Sequence, residues 1–161
     1  MERCPEVERL AVELMARMKA GDTDGVIDLF APGPATLLIG NGPGSWYAGH
    51  DATAARWRES FDTYGSIPFE PGEPQAWAEG SVAWFGDQIT AAFPDARIPM
   101  RLTGVAVRDG GRWLFVQFHL SGAVSDEETA QQRGEPGATQ QTPPSFFMQK
   151  SIAARHSYDW S

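Results

Sequence analysis

Three polar side chains stand in file near the end of an otherwise apolar stretch, RWLFVQFHLSGAV, residues 112–124. Strand side chains alternate between faces with a period of two, which sorts the stretch into two rows. Leu114, Val116, Phe118 and Leu120 make one. Trp113, Phe115, Gln117, His119 and Ser121 make the other, apolar at its start and polar at its end. An unperturbed histidine titrates at about pH 6.5, so inside a pocket it can take and return a proton near neutrality. His119 is therefore the first candidate acid/base. The competing reading is a histidine that hydrogen-bonds a neighbouring strand. Asp87, inside VAWFGDQIT, is a second candidate: a carboxylate among aromatics can act as a base, although Gly86 beside it can mark a bulge that turns it outward. Arg101 and Thr103 share a row on the preceding strand and are candidates for binding an anion. The alternative for Arg101 is an ion pair with Asp87 or Asp51, or simple exposure.

Other chemistry is set aside. The histidines at 50, 119 and 156 have no ligand spacing, so no metal is predicted, and no cofactor is implied. There is no Ser-His-Asp signature, and the GNGPG stretch lacks both the lysine and the strand-to-helix setting of a phosphate loop.

The elements that must position these residues are legible in the pattern. PEVERLAVELMARMKA places Val7, Leu10, Leu14 and Met18 at helical spacing, with Pro5 suited to the first turn and Gly21 to the stop. A short helix follows, capped by Asp22 or Thr23 and ended by Pro32, Gly33 and Pro34. ATLLIG reads as a strand and NGPGSWYAG as a loop. His50 and Asp51 open a further helix with Ala54, Trp57 and Phe61 on one stripe, Asp51 serving as its cap. SIPFEPGEPQAWAEG, broken by prolines, predicts an irregular or edge strand. SVAWFGDQITAAF and RIPMRLTGVAVRD are longer strands, and Asp109-Gly110-Gly111 is a hairpin turn into residues 112–124. Helices first and an antiparallel meander after them make an α+β protein.

With 161 residues, this is one domain with room for a core. Cys4 stands alone, so no internal disulfide is possible. No apolar run approaches the ~18 residues of a membrane span and no leader is evident, which predicts a cytoplasmic protein without a membrane partner. A net charge of −8, with scattered basic residues, argues against nucleic acid. Beyond Val124 the texture changes. Residues 125–144 read as a flexible linker, and 145–161, with Phe146, Phe147, Met148, Ile152 and Trp160, as a tail docked on its own body or on a partner subunit.

The run LLIGNGPGSWYAGHDATAARW, then VAWF, then IPMRLTGVAVRDGGRWLFVQFHLSGAV, resembles the SnoaL-like group of the nuclear transport factor 2-like (NTF2-like) superfamily. The resemblance extends over Val7 to Val124. The run from Phe118 to Gly122 also resembles the last strand of the association domain of calmodulin-dependent kinases. The resemblance implies an NTF2-like cone, N-terminal helices packed in a strongly curved antiparallel sheet, with a pocket at the mouth. It further implies a homodimer through the outer sheet face.

In that setting one strand face looks into the cone. His119 would act as acid/base, with Asp87 as the second catalytic candidate. Arg101, Thr103 and Gln117 would contact the ligand, an arginine in an apolar cone needing an acid or anion to offset its burial. Trp46, Tyr47, Trp57, Trp84 and Met100 would form the wall, Trp46 as a lid on its glycine-rich loop, and His50 would face the mouth. Ketosteroid isomerases of the superfamily use a tyrosine on the first helix and a pair of carboxylates. This chain has Met15 and Met18 on that helix and no acid in ATLLIG, so that mechanism does not carry over. The resemblance leaves two functions: a small-molecule site, with or without proton-transfer chemistry (isomerisation, dehydration, cyclisation), or an oligomerisation module with a vestigial pocket.

Overall fold

Pro5 and Gly21 bracket the first helix as their chemistry requires. A computed structural model describes residues 1–122. In chain order they form β1 (Glu2–Arg3), α1 (Pro5–Ala20), α2 (Thr23–Ile27), β2 (Leu37–Ile39), β3 (Trp46–Ala48), α3 (His50–Tyr64), β4 (Phe69–Glu70), β5 (Gln75–Glu79), β6 (Val82–Ala92), β7 (Arg97–Asp109) and β8 (Arg112–Gly122). The expected linker at 125–144 and tail at 145–161 lie outside the described residues.

The eight strands form one sheet in the order β1-β5-β6-β7-β8-β2-β3, with β4 paired to β6. It is curved, open and mixed rather than wholly antiparallel, because β2 runs parallel to β8. β6, β7 and β8 are the long central strands, and β7 turns into β8 where Asp109 pairs with Arg112 across Gly110-Gly111. Both turn glycines have positive φ, which a two-residue hairpin turn demands.

Three expectations are corrected. The NGPGSWYAG stretch is not all loop, since Trp46–Ala48 pairs with β2. The proline-broken stretch divides into β4 and β5 with residues 71–74 between them. Asp51 does not cap α3; Gly49 holds the cap position, with no side-chain cap hydrogen bond.

The core lies between the helices and one face of the sheet. Val7, Leu14, Met15 and Met18 of α1 and Ala54, Trp57 and Phe61 of α3 pack with Phe85, Ile89, Met100, Leu102, Phe115, Phe118 and Leu120 from the strands. The stripe of α3 predicted from sequence is thus the buried one. Its Trp57 stacks against Phe30, Phe61 and Phe118 with centroids 6.0, 6.3 and 5.9 Å away. Aromatic pairs at such spacing contribute about 0.5–1.5 kcal/mol each beyond the area they bury.

Candidate functional site

The two rows expected for β8 are not the rows it has. Val105 pairs with Gln117 and Ala106 with Phe115, so Val116 is an extra residue opposite β7 and the register shifts there. A bulge of this kind reverses the alternation beyond it. Before the bulge, Trp113 and Phe115 belong to the core. After it the core residues are Phe118 and Leu120. Gln117, His119 and Ser121 therefore point to the face turned away from the helices. One inserted residue accounts for the unusual bulk of this strand on both sides.

That outer face collects most of the residues singled out by sequence. Thr103 pairs directly with His119, and Arg101 with Ser121. The row through His119 continues to Ile39 on β2 and Trp46 on β3. The next row runs Leu37, Gln117, Val105, Trp84, Trp77. Arg101, Thr103, Gln117 and His119 do share one surface, but it is the outside of the sheet. Arg101 is exposed and has neither Asp87 nor Asp51 as an ion-pair partner. Trp84, expected in the wall, is 38% exposed, and Trp46, expected as a lid, is 63% exposed. Both lie on this outer face. His50 stands at the start of α3, half-buried, with Nδ1 3.8 Å from the Asp51 carboxylate.

The inner face keeps Asp87, Trp57 and Met100, all buried, with Tyr47 packed partly buried at the edge of the core. The register of β6 against β7 runs unbroken through Gly86–Thr103 and Asp87–Leu102, so Gly86 makes no bulge and Asp87 keeps the parity of Phe85 and Ile89. Asp87 sits between an aromatic row, Phe85 and Phe118 across Gly104, and an aliphatic row, Ile89 and Met100. Gly104 is required there, because a Cβ would fall 2.5 Å from the Phe85 ring.

Asp87 is the one carboxylate among the buried residues described, and its surroundings are unequal. Oδ2 accepts the Gly72 N–H at 3.1 Å. Oδ1 is buried with no partner, as are Thr53 Oγ1 and Trp57 Nε1, one helical turn apart on the inner stripe of α3. Burial raises the Asp87 pKa above the ordinary aspartate value, opposed by the backbone N–H groups of Gly72, Gln88 and Glu73. Leaving a buried polar atom unpaired costs about 1–3 kcal/mol, so three such atoms in one core are a feature in need of a reason. Sequence reasoning missed Thr53 altogether. A threonine on the apolar stripe of an amphipathic helix was the available signal.

The fold and the chain now define a class. The SnoaL-like domain family model matches residues 7–125, and the chain belongs to that family. No curated protein matches it. Among solved structures it is similar to an NTF2-like protein of unknown function from Pseudomonas putida, at 19% identity and a TM-score of 0.67, over 86% of this chain and 95% of that one. A candidate calcium/calmodulin-dependent protein kinase type II association domain from Thiobacillus denitrificans matches at 19% identity and TM-score 0.65, covering 73% and 94%. A candidate dehydratase of the NTF2-like family from Streptomyces avermitilis matches at 15% identity and TM-score 0.64, covering 75% and 96%. At these identities the likeness establishes the NTF2-like fold. Among the described residues no group of three or more His, Cys, Asp or Glu is placed to hold a metal, and no helix is long and apolar enough to cross a membrane.

Proposed function

We propose that this SnoaL-like protein binds a compact, mostly apolar molecule on the helix side of the sheet and moves a proton with Asp87. The observation that carries the reading is the buried, unpartnered Oδ1 of Asp87 on the same inner face as Trp57 and Thr53. A carboxylate whose pKa is pushed up by burial is a stronger base toward a weakly acidic C–H, and its protonated form persists to higher pH, where it can return the proton. Trp57 Nε1–H and the Thr53 hydroxyl can donate to a carbonyl oxygen as charge develops on it. Isomerisation, dehydration and cyclisation can all begin from such a step, and the candidate dehydratase among the similar folds agrees with this class.

The test is solvent-deuterium incorporation at carbon in a panel of cyclic enones and β-keto esters, followed by NMR. The native chain should incorporate label into at least one probe, Asp87→Asn should abolish it, and His119→Gln should leave it intact. Loss on His119→Gln with retention on Asp87→Asn would reverse the assignment and return the site to the outer face.

A second reading rests on Trp84, Val82 and Trp46, large apolar side chains exposed on the outer face, on either side of its polar cluster. Exposed aromatic residues are enriched at association surfaces. We read this face as the contact between two copies of the chain, with Arg101, Thr103, Gln117 and His119 serving that contact rather than a pocket.

A further inference from the structure

We propose that the loop from Pro71 to Pro74 is the positioning device for Asp87, and that Gly72 is the residue on which it turns. The inference rests on the reading of Asp87 as the proton-handling group. β7 occupies one edge of β6 along its whole length, so β4 and β5 must share the other. β5 pairs with residues 82–86 and β4 with residues 90 and 91. The β6 edge between them, at residues 87–89, has no strand partner. The sequence Pro71-Gly72-Glu73-Pro74 fills that gap.

Its composition suits the task. The two prolines bring no N–H and fix their own φ, which leaves Gly72 and Glu73 as the loop's backbone donors. Gly72 delivers its N–H to Asp87 Oδ2 at 3.1 Å. Nothing larger fits at this approach. A Cβ on Gly72 would overlap the Gln88 carbonyl oxygen and lie 2.8 Å from Asp87 Oδ1. The loop thus ties one carboxylate oxygen from the strand edge and leaves the other unpartnered. Among the described residues, burial and the backbone donors are the causes that shift Asp87. Glu73 is exposed, and Glu70 on β4 is bound to Arg97 and lies near Lys19 of α1. On its other side the loop meets solvent, where Pro74 lines an open depression with Pro5, Glu8, Arg9 and Val12 of α1. The loop is therefore the thin wall between water and the buried carboxyl.

The experiment is a carbon-detected NMR titration of the full chain labelled at aspartate carboxyl carbons. Native Asp87 should titrate above ordinary aspartates. Gly72→Ala should lift the loop and admit water; because burial is the larger cause, hydration should bring the Asp87 titration down toward the ordinary value by more than loss of the Gly72 N–H raises it. Glu73→Gln, which keeps the backbone donor and removes only charge, should not move it. An unchanged titration in Gly72→Ala, or an equal shift in Glu73→Gln, would overturn the proposal. If Gly72→Ala does not fold, the Gly72 amide reports instead. Its hydrogen exchange should stay slow in Asp87→Asn, which retains an acceptor, and rise about tenfold in Asp87→Ala, the factor expected for one lost hydrogen bond. Equal protection in both overturns it. The two proposals fail separately. A Gly72-dependent titration with full deuterium incorporation in Asp87→Asn removes the catalytic role and leaves the positioning one.

Discussion

The two faces of β6, β7 and β8 use similar residue types to opposite effect. The inner face holds a single ionisable group, Asp87, among Phe85, Phe118, Ile89 and Leu102, and only backbone N–H groups meet it. The outer face holds Arg101, Thr103, Gln117 and His119 in three adjacent rows, bordered by Trp46 and Trp84, with solvent at hand. Polar groups gathered where water can reach them need no partner. A carboxylate enclosed by apolar side chains does, and half of the one here lacks it. The comparison therefore moves the chemical interest from the more conspicuous cluster to the lone buried acid.

Breaking the inner face should have the largest effect. Phe118→Ala opens a cavity beneath Trp57 and Phe115 and should destabilise the domain by about 3–5 kcal/mol in denaturant unfolding. Trp84→Ala removes a larger side chain from the outer face and should cost far less in a monomer. Comparable losses would mean that the outer face is also packed. Trp84→Glu places a charge on the outer face and should halve the mass seen by light scattering at micromolar concentration. A native chain already monomeric there would remove the self-association reading.

Asp87→Asn has a pH signature. Its folded pKa is raised, so the folded state binds more protons than the unfolded chain between the two values, and stability falls as pH climbs through that window. Asp87→Asn should flatten this dependence and be the more stable form above the window. A native stability that rises with pH there would contradict the burial. Smaller still, Arg101→Gln and His119→Gln should each leave unfolding free energy within about 0.5 kcal/mol of the native value.

One further variant sharpens the comparison directly. Deleting Val116 removes the bulge but keeps Phe115 and Phe118 on one side and Gln117 and His119 on the other. The deletion should fold, with a smaller loss than Phe118→Ala. Unbroken alternation from Trp113 to Ser121 would instead make the deletion swap every later side chain across the sheet and abolish folding.

Much of this molecule was readable from local pattern. Val7, Leu10, Leu14 and Met18 repeat at the helical period, Gly110-Gly111 supplies the φ angles of a tight hairpin, and the long strands announce themselves by composition. Those features depend on neighbours a few residues away, and sequence carries that information in full. The facing of Gln117 and His119 does not. It turns on whether one residue of β8 is left over against β7, and a single extra residue exchanges the faces of everything beyond it. Likewise, Pro71-Gly72-Glu73-Pro74 reads as an interruption in a poor strand until β6 is seen to leave a gap that it fills. The chain alone determined the long helices and the long strands. Only their long-range pairing decided which side chains are enclosed, because burial is a property of the assembled sheet and of no segment within it.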